Sequence, residues 1–224
     1  MKFASLFSGG KDSTFATYLI EQQGHVVEYL IGVVPTDPHS WLFHTPNLQL
    51  LPLQSRAMEK PLIMVKGGKT EEEDLLALKS ALQSVEVDGI VTGAIASEFQ
   101  WERINSVCEE LEIPMLSPLW RKDEYMIVKE EIEAGIKSIV VSVSSEGLDS
   151  SHLGIEIDDS FLAFLKMIHD RFGVHIAGEG GEYESLVLDS PLHKAPLQLL
   201  EISEEIGRDH GRLIVKEAVL GEAK

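Results

Sequence analysis

Short apolar runs rich in β-branched residues alternate with longer stretches of helical periodicity through the first half of the chain. Such runs recur at Phe3–Phe7, Val26–Val34, Leu62–Val65, Gly89–Thr92 and Ile113–Leu116. Strands that alternate with helices in this way pair side by side in a parallel sheet, with helices on both faces. The pattern therefore predicts an α/β domain over residues 1–123.

Several helix boundaries can be read from capping signals. Thr70 followed by Glu73 predicts a capping box at the start of a helix, and Gly24 is placed to end the first helix in a left-handed conformation. A further helix is predicted to begin near Ser97, with Cys108 on its apolar face. A buried, structural thiol is the expected role of Cys108.

The pattern changes after about Asp123, where strands no longer alternate regularly with helices. It predicts further elements at Glu124–Ala134, Ser138–Val143, Asp158–Phe172, Pro196–Ile206 and Arg212–Leu220. Gly207 and Gly211 lie between the last two runs, a spacing typical of an antiparallel hairpin. Residues 124–224 are therefore predicted to form a smaller α+β domain.

Charge and cysteine content narrow the function classes. With 37 acidic and 19 basic residues the formal net charge is −18, so the long-range field repels nucleic-acid backbones and attracts cations. The single cysteine excludes an intramolecular disulfide and chemistry that needs two thiols in one chain. No apolar run approaches about 20 residues and no cleavable signal pattern is present, so a cytoplasmic protein without membrane contact is expected.

The first chemical motif is Ser8-Gly9-Gly10-Lys11-Asp12-Ser13, between the first predicted strand and the first helix. The two glycines permit close backbone approach, and the helix N-terminus offers unpaired N–H groups to an anion. The two serines add hydroxyl donors, Lys11 can neutralise phosphate charge, and Asp12 can hold Mg²⁺ through water. The motif therefore predicts a phosphate-binding loop.

The loop is not a Walker A sequence, so simple γ-phosphoryl transfer is disfavoured. It resembles the PP-loop of the ATP-pyrophosphatase families, whose members adenylate an oxygen of an acceptor and release pyrophosphate. The resemblance implies a HUP-like, Rossmann-related fold with ATP at the carboxyl ends of the parallel strands.

The second motif is Gly178-Glu179-Gly180-Gly181-Glu182-Tyr183-Glu184-Ser185. Three glycines among three carboxylates and a tyrosine make a poor core segment, and an acidic turn before a strand is one interpretation. The other is a site for a cationic ligand, held by charge and by an aromatic face.

Together the two motifs and Gly93-Ala94-Ile95-Ala96-Ser97-Glu98-Phe99-Gln100-Trp101-Glu102-Arg103 resemble the diphthine–ammonia ligase family. Phe43-His44-Thr45-Pro46-Asn47 and Ser117-Pro118-Leu119-Trp120 match as well, in the family's order, so the resemblance covers most of the chain. The short form of the chain is similar to archaeal members.

The resemblance implies amidation of diphthine on translation elongation factor 2 with ATP, Mg²⁺ and ammonium, through an acyl-adenylate. It implies ATP binding by Ser8, Gly9, Gly10, Lys11, Asp12, Ser13 and Gly93, with catalysis by Lys11, Glu182 and Glu184. The substrate-binding residues that it implies are His44, Asn47, Ser97, Gln100, Arg103, Glu179, Gly180, Gly181, Glu182, Tyr183 and Glu184. No protein-bound metal is implied beyond Mg²⁺ carried by ATP, for which Asp12 is a candidate contact through water.

Three alternatives remain open from the residues alone. A PP-loop enzyme that modifies a tRNA base shares the loop, although the acidity and the single thiol oppose it. Amidation of another carboxylate acceptor would need the same chemistry. A non-catalytic adenine-nucleotide sensor would share the fold but would not need the acidic segment. The sequence also leaves a homodimer open.

Overall fold

A computed structural model describes residues 1–36, 46–208 and 210–224. The helices in these ranges are α1 (Lys11–Gln22), α2 (Leu51–Met58), α3 (Glu71–Gln83), α4 (Glu98–Glu110), α5 (Glu124–Glu133) and α6 (Asp159–Phe172). Short 3₁₀ turns lie at Leu48–Leu50 and Ser150–His152. No helix in the described part of the chain is both long and apolar enough to cross a membrane.

The first half of the chain builds a five-stranded parallel sheet in the order β3-β2-β1-β4-β5. Its strands are β1 (Lys2–Leu6), β2 (Val26–Val34), β3 (Leu62–Lys66), β4 (Gly89–Val91) and β5 (Met115–Leu116). The predicted α/β sheet is therefore confirmed. Because β1 lies in the centre, the loops after β1 and β4 emerge side by side at the carboxyl edge, where such sheets bind ligands.

The second half builds a four-stranded antiparallel sheet in the order β7-β6-β9-β8. Its strands are β6 (Lys137–Val143), β7 (Tyr183–Asp189), β8 (Leu197–Ile206) and β9 (Gly211–Leu220). The predicted hairpin is confirmed as the β8–β9 pair, with Ile206 opposite Gly211 at its turn.

Two apolar layers enclose the parallel sheet. One contains Ile31, Leu78, Ile90 and Cys108, and covers the face on which α3 and α4 pack. Cys108 is buried there, as the sequence predicted, and burial raises the pKa of its thiol to about 12.

The other layer is a continuous core shared by the two sheets. It joins residues from the first half, such as Phe15, with Ile127, Leu165 and Val187 from the second half. The antiparallel sheet is therefore packed against the parallel one through α1, and strand β7 is brought next to the loop that follows β1.

Candidate active site

An open cleft of about 1070 Å³ lies between the carboxyl edge of the parallel sheet and strand β7. The loop after β1, the loop after β4, the first turn of α4 and residues 175–185 form most of its wall. The predicted site residues that line it are Ser8, Lys11, Asp12, Ser13, Gly93, Ser97, Gln100, Glu179, Gly180, Gly181, Glu182, Tyr183 and Glu184. The two motifs, far apart in sequence, therefore meet in one cavity.

Gly9 holds the β1–α1 loop against strand β7. It has a φ of 81°, and its carbonyl accepts hydrogen bonds from Val187 N at 3.0 Å and Gln54 Nε2 at 2.9 Å. A Cβ at this position would lie 2.3 Å from Gln54 Oε1, so only glycine fits. Gln54 is fully buried and also binds Val187 O at 3.0 Å, which fixes the loop to both halves of the molecule.

Helix α1 begins without a side-chain cap. Gly10 occupies the N-cap position, and the backbone N–H groups of Asp12 and Ser13 have no hydrogen-bond partner in the described part of the chain. Helices α3 to α6, by contrast, each have a capping side chain, from Thr70, Ser97, Asp123 and Asp158 respectively. Free donors and a positive helix end fit a phosphate group.

Two serine hydroxyls complete the loop. Ser8 Oγ and Ser13 Oγ lie 3.1 Å apart at the wall of the cleft, and Ser185 Oγ accepts a hydrogen bond from Lys11 N at 3.1 Å. Hydroxyl groups can reorient to donate to an anion that enters. The residues present therefore fit the triphosphate that the PP-loop resemblance implies.

The ammonium of Lys11 is buried beneath the loop. Its Nζ donates to Asp12 Oδ1 at 2.6 Å and to Ala177 O at 2.9 Å, and lies 3.5 Å from Glu131 Oε2. Burial alone would lower the pKa of Lys11, but the carboxylates of Asp12 and Glu131 raise it, so the side chain stays charged. Lys11 thereby ties the loop to the second half of the chain and adds one positive charge below the phosphate site.

Glu131, on α5, was not predicted as a site residue. Its side chain is 3% exposed, and its two oxygens have no hydrogen-bond partner among the described residues. Burial raises the pKa of this carboxyl well above its ordinary value, and the negative charge of Asp12 adds to that effect. No motif of the sequence includes Glu131, and its contact with Lys11 joins residues that are far apart along the chain.

Gly93 lets the end of β4 pack directly on the first turn of α1. A Cβ here would lie 2.7 Å from Ser13 N and 2.8 Å from the Asp12 carbonyl carbon. Both are backbone atoms that cannot move aside without shifting the helix. Gly93 therefore sets the position of the anion-binding turn and itself lines the cleft.

Glu179 binds a row of backbone donors at the start of α4. Its Oε1 accepts hydrogen bonds from Ile95 N, Ala96 N and Ser97 N, each at 3.0 Å. A carboxylate at a helix N-terminus is stabilised both by these bonds and by the helix dipole. Glu179 therefore joins the acidic segment to the opposite wall of the cleft.

Glu182 and Tyr183 are also engaged within the protein. Glu182 Oε1 accepts from His175 N at 3.1 Å, and the Tyr183 hydroxyl donates to Ile176 O at 2.8 Å. The Tyr183 ring is buried, and Lys11 Nζ lies 5.8 Å from its centre. Burial raises the pKa of its hydroxyl. The cation that faces this ring in the structure is thus Lys11.

Glu184, the third carboxyl group of the segment, has different surroundings. It is half-buried at the cleft wall, on the strand position opposite Ser142. Burial raises its pKa to about 8, and the charges of Asp12 and Glu179 add to the rise against the opposing effect of Lys11 and Arg212. A carboxyl group with this pKa can exchange a proton near neutral pH.

The remaining predicted substrate residues divide into two groups. Ser97 and Gln100 line the cleft, and Ser97 caps α4 by accepting from Gln100 N at 3.3 Å. Arg103 lies off the cleft wall, where its Nε pairs with Glu71 and its guanidinium lies 4.1 Å from the Phe99 ring centre.

Asn47 takes a structural position. It is buried, its Nδ2 donates to Leu213 O at 2.9 Å, and its Oδ1 accepts from Val215 N at 2.8 Å. The side-chain amide thus donates to and accepts from the backbone of strand β9, as the backbone of a neighbouring strand would. His44, the other predicted residue of that stretch, lies outside the described residues.

A metal site built from protein side chains is not found in the described ranges, where no group of three His, Cys, Asp or Glu residues could hold an ion. The side chain of Asp12 is 27% exposed next to the phosphate loop. Its carboxylate fits the part of an outer ligand to a metal carried by a nucleotide.

Comparison with known proteins identifies the family. The diphthamide synthase N-terminal domain matches residues 1–115, and the diphthamide synthase C-terminal domain matches residues 123–220. Proteins named diphthine–ammonia ligase are similar: the one from Danio rerio is 33% identical over 92% of this chain and 89% of its own length. Those from Homo sapiens and Schizosaccharomyces pombe are 31% and 34% identical over 92% and 90% of this chain, and over 85% and 36% of their own lengths. The chain therefore belongs to the diphthamide synthase family.

Proposed function

We propose that the chain is a diphthine–ammonia ligase, which uses ATP and ammonium to amidate diphthine on translation elongation factor 2 and releases diphthamide, AMP and pyrophosphate. The similarity to relatives of that name supports it. The observation that carries the proposal is a single cleft lined both by the uncapped N-terminus of α1 and by Glu184, a carboxyl group with a pKa of about 8.

The first half of the reaction activates the acceptor. Ammonia cannot displace oxygen from a free carboxylate, because the leaving group is too poor, and transfer of AMP to the carboxylate replaces it with a good one. The carboxylate oxygen attacks the α-phosphorus of ATP and pyrophosphate departs. The N–H groups of Asp12 and Ser13 bind the departing phosphates, while Lys11 supplies a fixed charge below them. Mg²⁺ bound to ATP would neutralise further charge, with Asp12 as its proposed contact.

The acidic wall of the cleft fits the acceptor. Diphthine carries a quaternary ammonium near the carboxylate to be activated, and the cleft presents Glu179, Glu182 and Glu184 on one segment. A fixed cation is attracted by this field, and a molecule with net charge −18 attracts it over a longer range. Elongation factor 2 is thus the proposed protein partner.

Glu184 is proposed as the site of ammonium binding. Bringing a cation beside a half-buried carboxyl group favours the ionised form, so ammonium binding and loss of the Glu184 proton are coupled. The carboxylate then accepts a proton from ammonium and produces the neutral nucleophile next to the acyl-adenylate. Its pKa of about 8 places this exchange close to neutral pH.

The test follows AMP and the modified histidine together. The protein is incubated with ATP, Mg²⁺, ammonium and elongation factor 2 that carries diphthine. The expected result is AMP formed only with the factor present, and a change of about −1 Da in the histidine peptide as hydroxyl is exchanged for amino. AMP release without the mass change would direct the search to another carboxylate acceptor. Absence of both would favour a nucleotide-binding protein without catalysis.

Glu184→Gln examines the assigned residue. Loss of the proton acceptor should lower the amidation rate by about 10² or more and leave acceptor-dependent release of pyrophosphate largely intact. Glu98→Gln is the matched control, because the side chain of Glu98 is 67% exposed and pairs with Arg121 on the surface. Equal activity of the two variants would contradict the role of Glu184.

A further inference from the structure

Glu124, the first residue of α5, gathers two histidines beside the cleft. Its Oε2 accepts a hydrogen bond from Ile176 N at 2.6 Å and lies 3.0 Å from His175 Nδ1, while its Oε1 lies 3.3 Å from His169 Nδ1. The carboxylate is 21% exposed. Glu124 lies outside the Ser8–Ser13 and Gly178–Ser185 motifs. His175 has no metal-ligand spacing to another histidine that would have selected it from the sequence.

His175 lies in the cleft wall with one edge of its ring held by Glu124. Its side chain is 25% exposed, yet Nδ1 is buried and has no hydrogen bond of good angle within the described residues. The Nδ1–Glu124 distance is that of an ion pair, which protonation of the ring would strengthen. Because Nδ1 is buried, Nε2 is the ring nitrogen that remains for proton transfer. A base held by an acid in this manner is the arrangement of a general acid–base pair.

Amidation with ammonium releases two protons from the nitrogen. Ammonium carries four hydrogens on nitrogen and the amide product keeps two, so two protons leave the nitrogen for each amide formed. Glu184, under the proposed function on which this inference rests, accepts one of them. The other must leave the nitrogen after it has bonded to the acyl carbon, when that nitrogen is positively charged.

We propose that His175, oriented by Glu124, is the second proton acceptor of the amidation. Ammonium first gives a proton to Glu184, and the freed lone pair forms the C–N bond while the carbonyl π pair moves to oxygen. The charged nitrogen then gives a proton to His175 Nε2. The carbonyl re-forms and the bond from carbon to the phosphate oxygen breaks, with its electron pair leaving on AMP.

Four other titratable groups that line the cleft are engaged within the protein. Lys11 is held protonated by its carboxylate neighbours, and the Tyr183 hydroxyl donates to Ile176 O. Glu179 is bound by three N–H groups, and Glu182 accepts from the backbone of His175 itself. The bond from His175 N to Glu182 also fixes His175 to the acidic segment. Since Glu184 belongs to the same segment, the two proposed proton acceptors are held together.

The test separates the two half-reactions in the full-length protein. Acceptor-dependent exchange between ATP and pyrophosphate reports adenylation, and amide formation is measured with ammonium and with hydroxylamine. Hydroxylamine is largely unprotonated at neutral pH, so its reaction has one proton fewer to release. The proton that hydroxylamine lacks is the first one, which Glu184 accepts, whereas its nitrogen must still lose the second after the C–N bond has formed. His175→Gln is therefore expected to keep exchange within about twofold and to lose about 10² in the rate with both nucleophiles, whereas Glu184→Gln should lose clearly less with hydroxylamine than with ammonium.

Two further variants complete the experiment. Glu124→Gln keeps an oxygen for Ile176 N but removes the negative charge, and is expected to lower the ammonium rate about tenfold. His169→Gln is the matched control, because His169 contacts the same carboxylate but does not line the cleft, and should stay near wild type. A loss in His175→Gln that is clearly smaller with hydroxylamine than with ammonium, or equal losses in the two histidine variants, would overturn the proposal. Wild-type protein without acceptor-dependent exchange would instead overturn the proposed function, and this inference with it.

Discussion

At the scale of single residues, three carboxylates of one segment have different surroundings and different uses. Glu179 is bound by three N–H groups at 3.0 Å, Glu182 accepts from His175 N, and Glu184 is left at the cleft wall with a pKa raised to about 8. Two of them accept backbone hydrogen bonds, and the third is the group that we propose for proton transfer. The three glutamates thus differ because each accepts a different number of hydrogen bonds from backbone N–H groups.

Removal of Glu179 should loosen the start of α4. Glu179→Ala leaves the N–H groups of Ile95, Ala96 and Ser97 without their shared acceptor, which should cost about 2 kcal/mol of unfolding free energy. Amide hydrogen exchange at these three residues should accelerate most. Glu98→Ala, which removes an exposed ion pair, is the control and should cost below about 1 kcal/mol. Unchanged exchange at residues 95–97 would show that the three bonds contribute little.

His193 should make the protein sensitive to acid. Burial lowers its pKa from 6.5 to about 4, so between these values the unfolded chain binds a proton that the native state does not. The stability that neutral His193 contributes is fully present above about pH 6.5. It is lost as the pH falls towards 4, which lowers the free energy of unfolding by about 3 kcal/mol in total.

His193→Gln removes that contribution, so urea unfolding of the variant should lose less stability than wild type between pH 6.5 and 4. His210→Gln is the control, because His210 is exposed. Parallel pH curves for wild type and the His193 variant would contradict the assignment.

At the scale of elements, local signals predicted most boundaries. The β-branched run Val26–Val34 is strand β2 without change, and Thr70 with Glu73 forms the predicted capping box, because both depend on neighbours in sequence. Helix α2 was missed, since its eight residues carry Pro52 in the first turn and too few repeats to show a period. The acidic motif was interpreted as a turn before a strand or as a ligand site, whereas strand β7 already begins inside it at Tyr183.

Site residues that belong to a sequence motif could be predicted. Site residues that reach the cleft only through tertiary packing could not. The Ser8–Ser13 loop and the acidic segment were found because glycine and charge are unusual at those places. Gln54, Glu131 and His175 were missed, since each acts through contacts with residues distant in sequence. Asn47 was assigned to substrate from its motif, whereas the structure shows its amide pairing with strand β9.

The capping box of α3 gives a test at this scale. Thr70→Ala removes the acceptor for Glu73 N and should cost about 1 kcal/mol of unfolding free energy, measured by urea denaturation. Thr70→Ser keeps the hydroxyl and should stay close to wild type. Ligase activity should be unchanged in both, because the box lies away from the cleft wall. A loss in the serine variant as large as in the alanine variant would show that the hydroxyl is not the cause.

At the scale of the whole molecule, the two sheets are joined by one core and by polar contacts at the cleft. Val187 N binds Gly9 O, Gln54 links the same two residues, and Lys11 Nζ reaches Ala177 O. The Ser8–Ser13 loop is therefore held in shape by the second half of the chain. The division at residues 123 and 124 that the sequence predicts would mark a change in architecture and not a change in folding unit.

Separation of the halves should therefore abolish independent folding. A fragment of residues 1–123 would expose the apolar face of α1 that packs against α5 and β7, including Phe15 and Ile20, and would leave Lys11 without Ala177 and Glu131. Burial of that face is a main source of stability, so the fragment should lack a cooperative thermal transition and should bind a hydrophobic dye. Co-expression with residues 124–224 should restore both the transition and nucleotide binding, because the two pieces can rebuild the shared core. A fragment that unfolds cooperatively by itself would show that the first half is an autonomous domain, and that the second half contributes to the cleft without being needed for the fold of the loop.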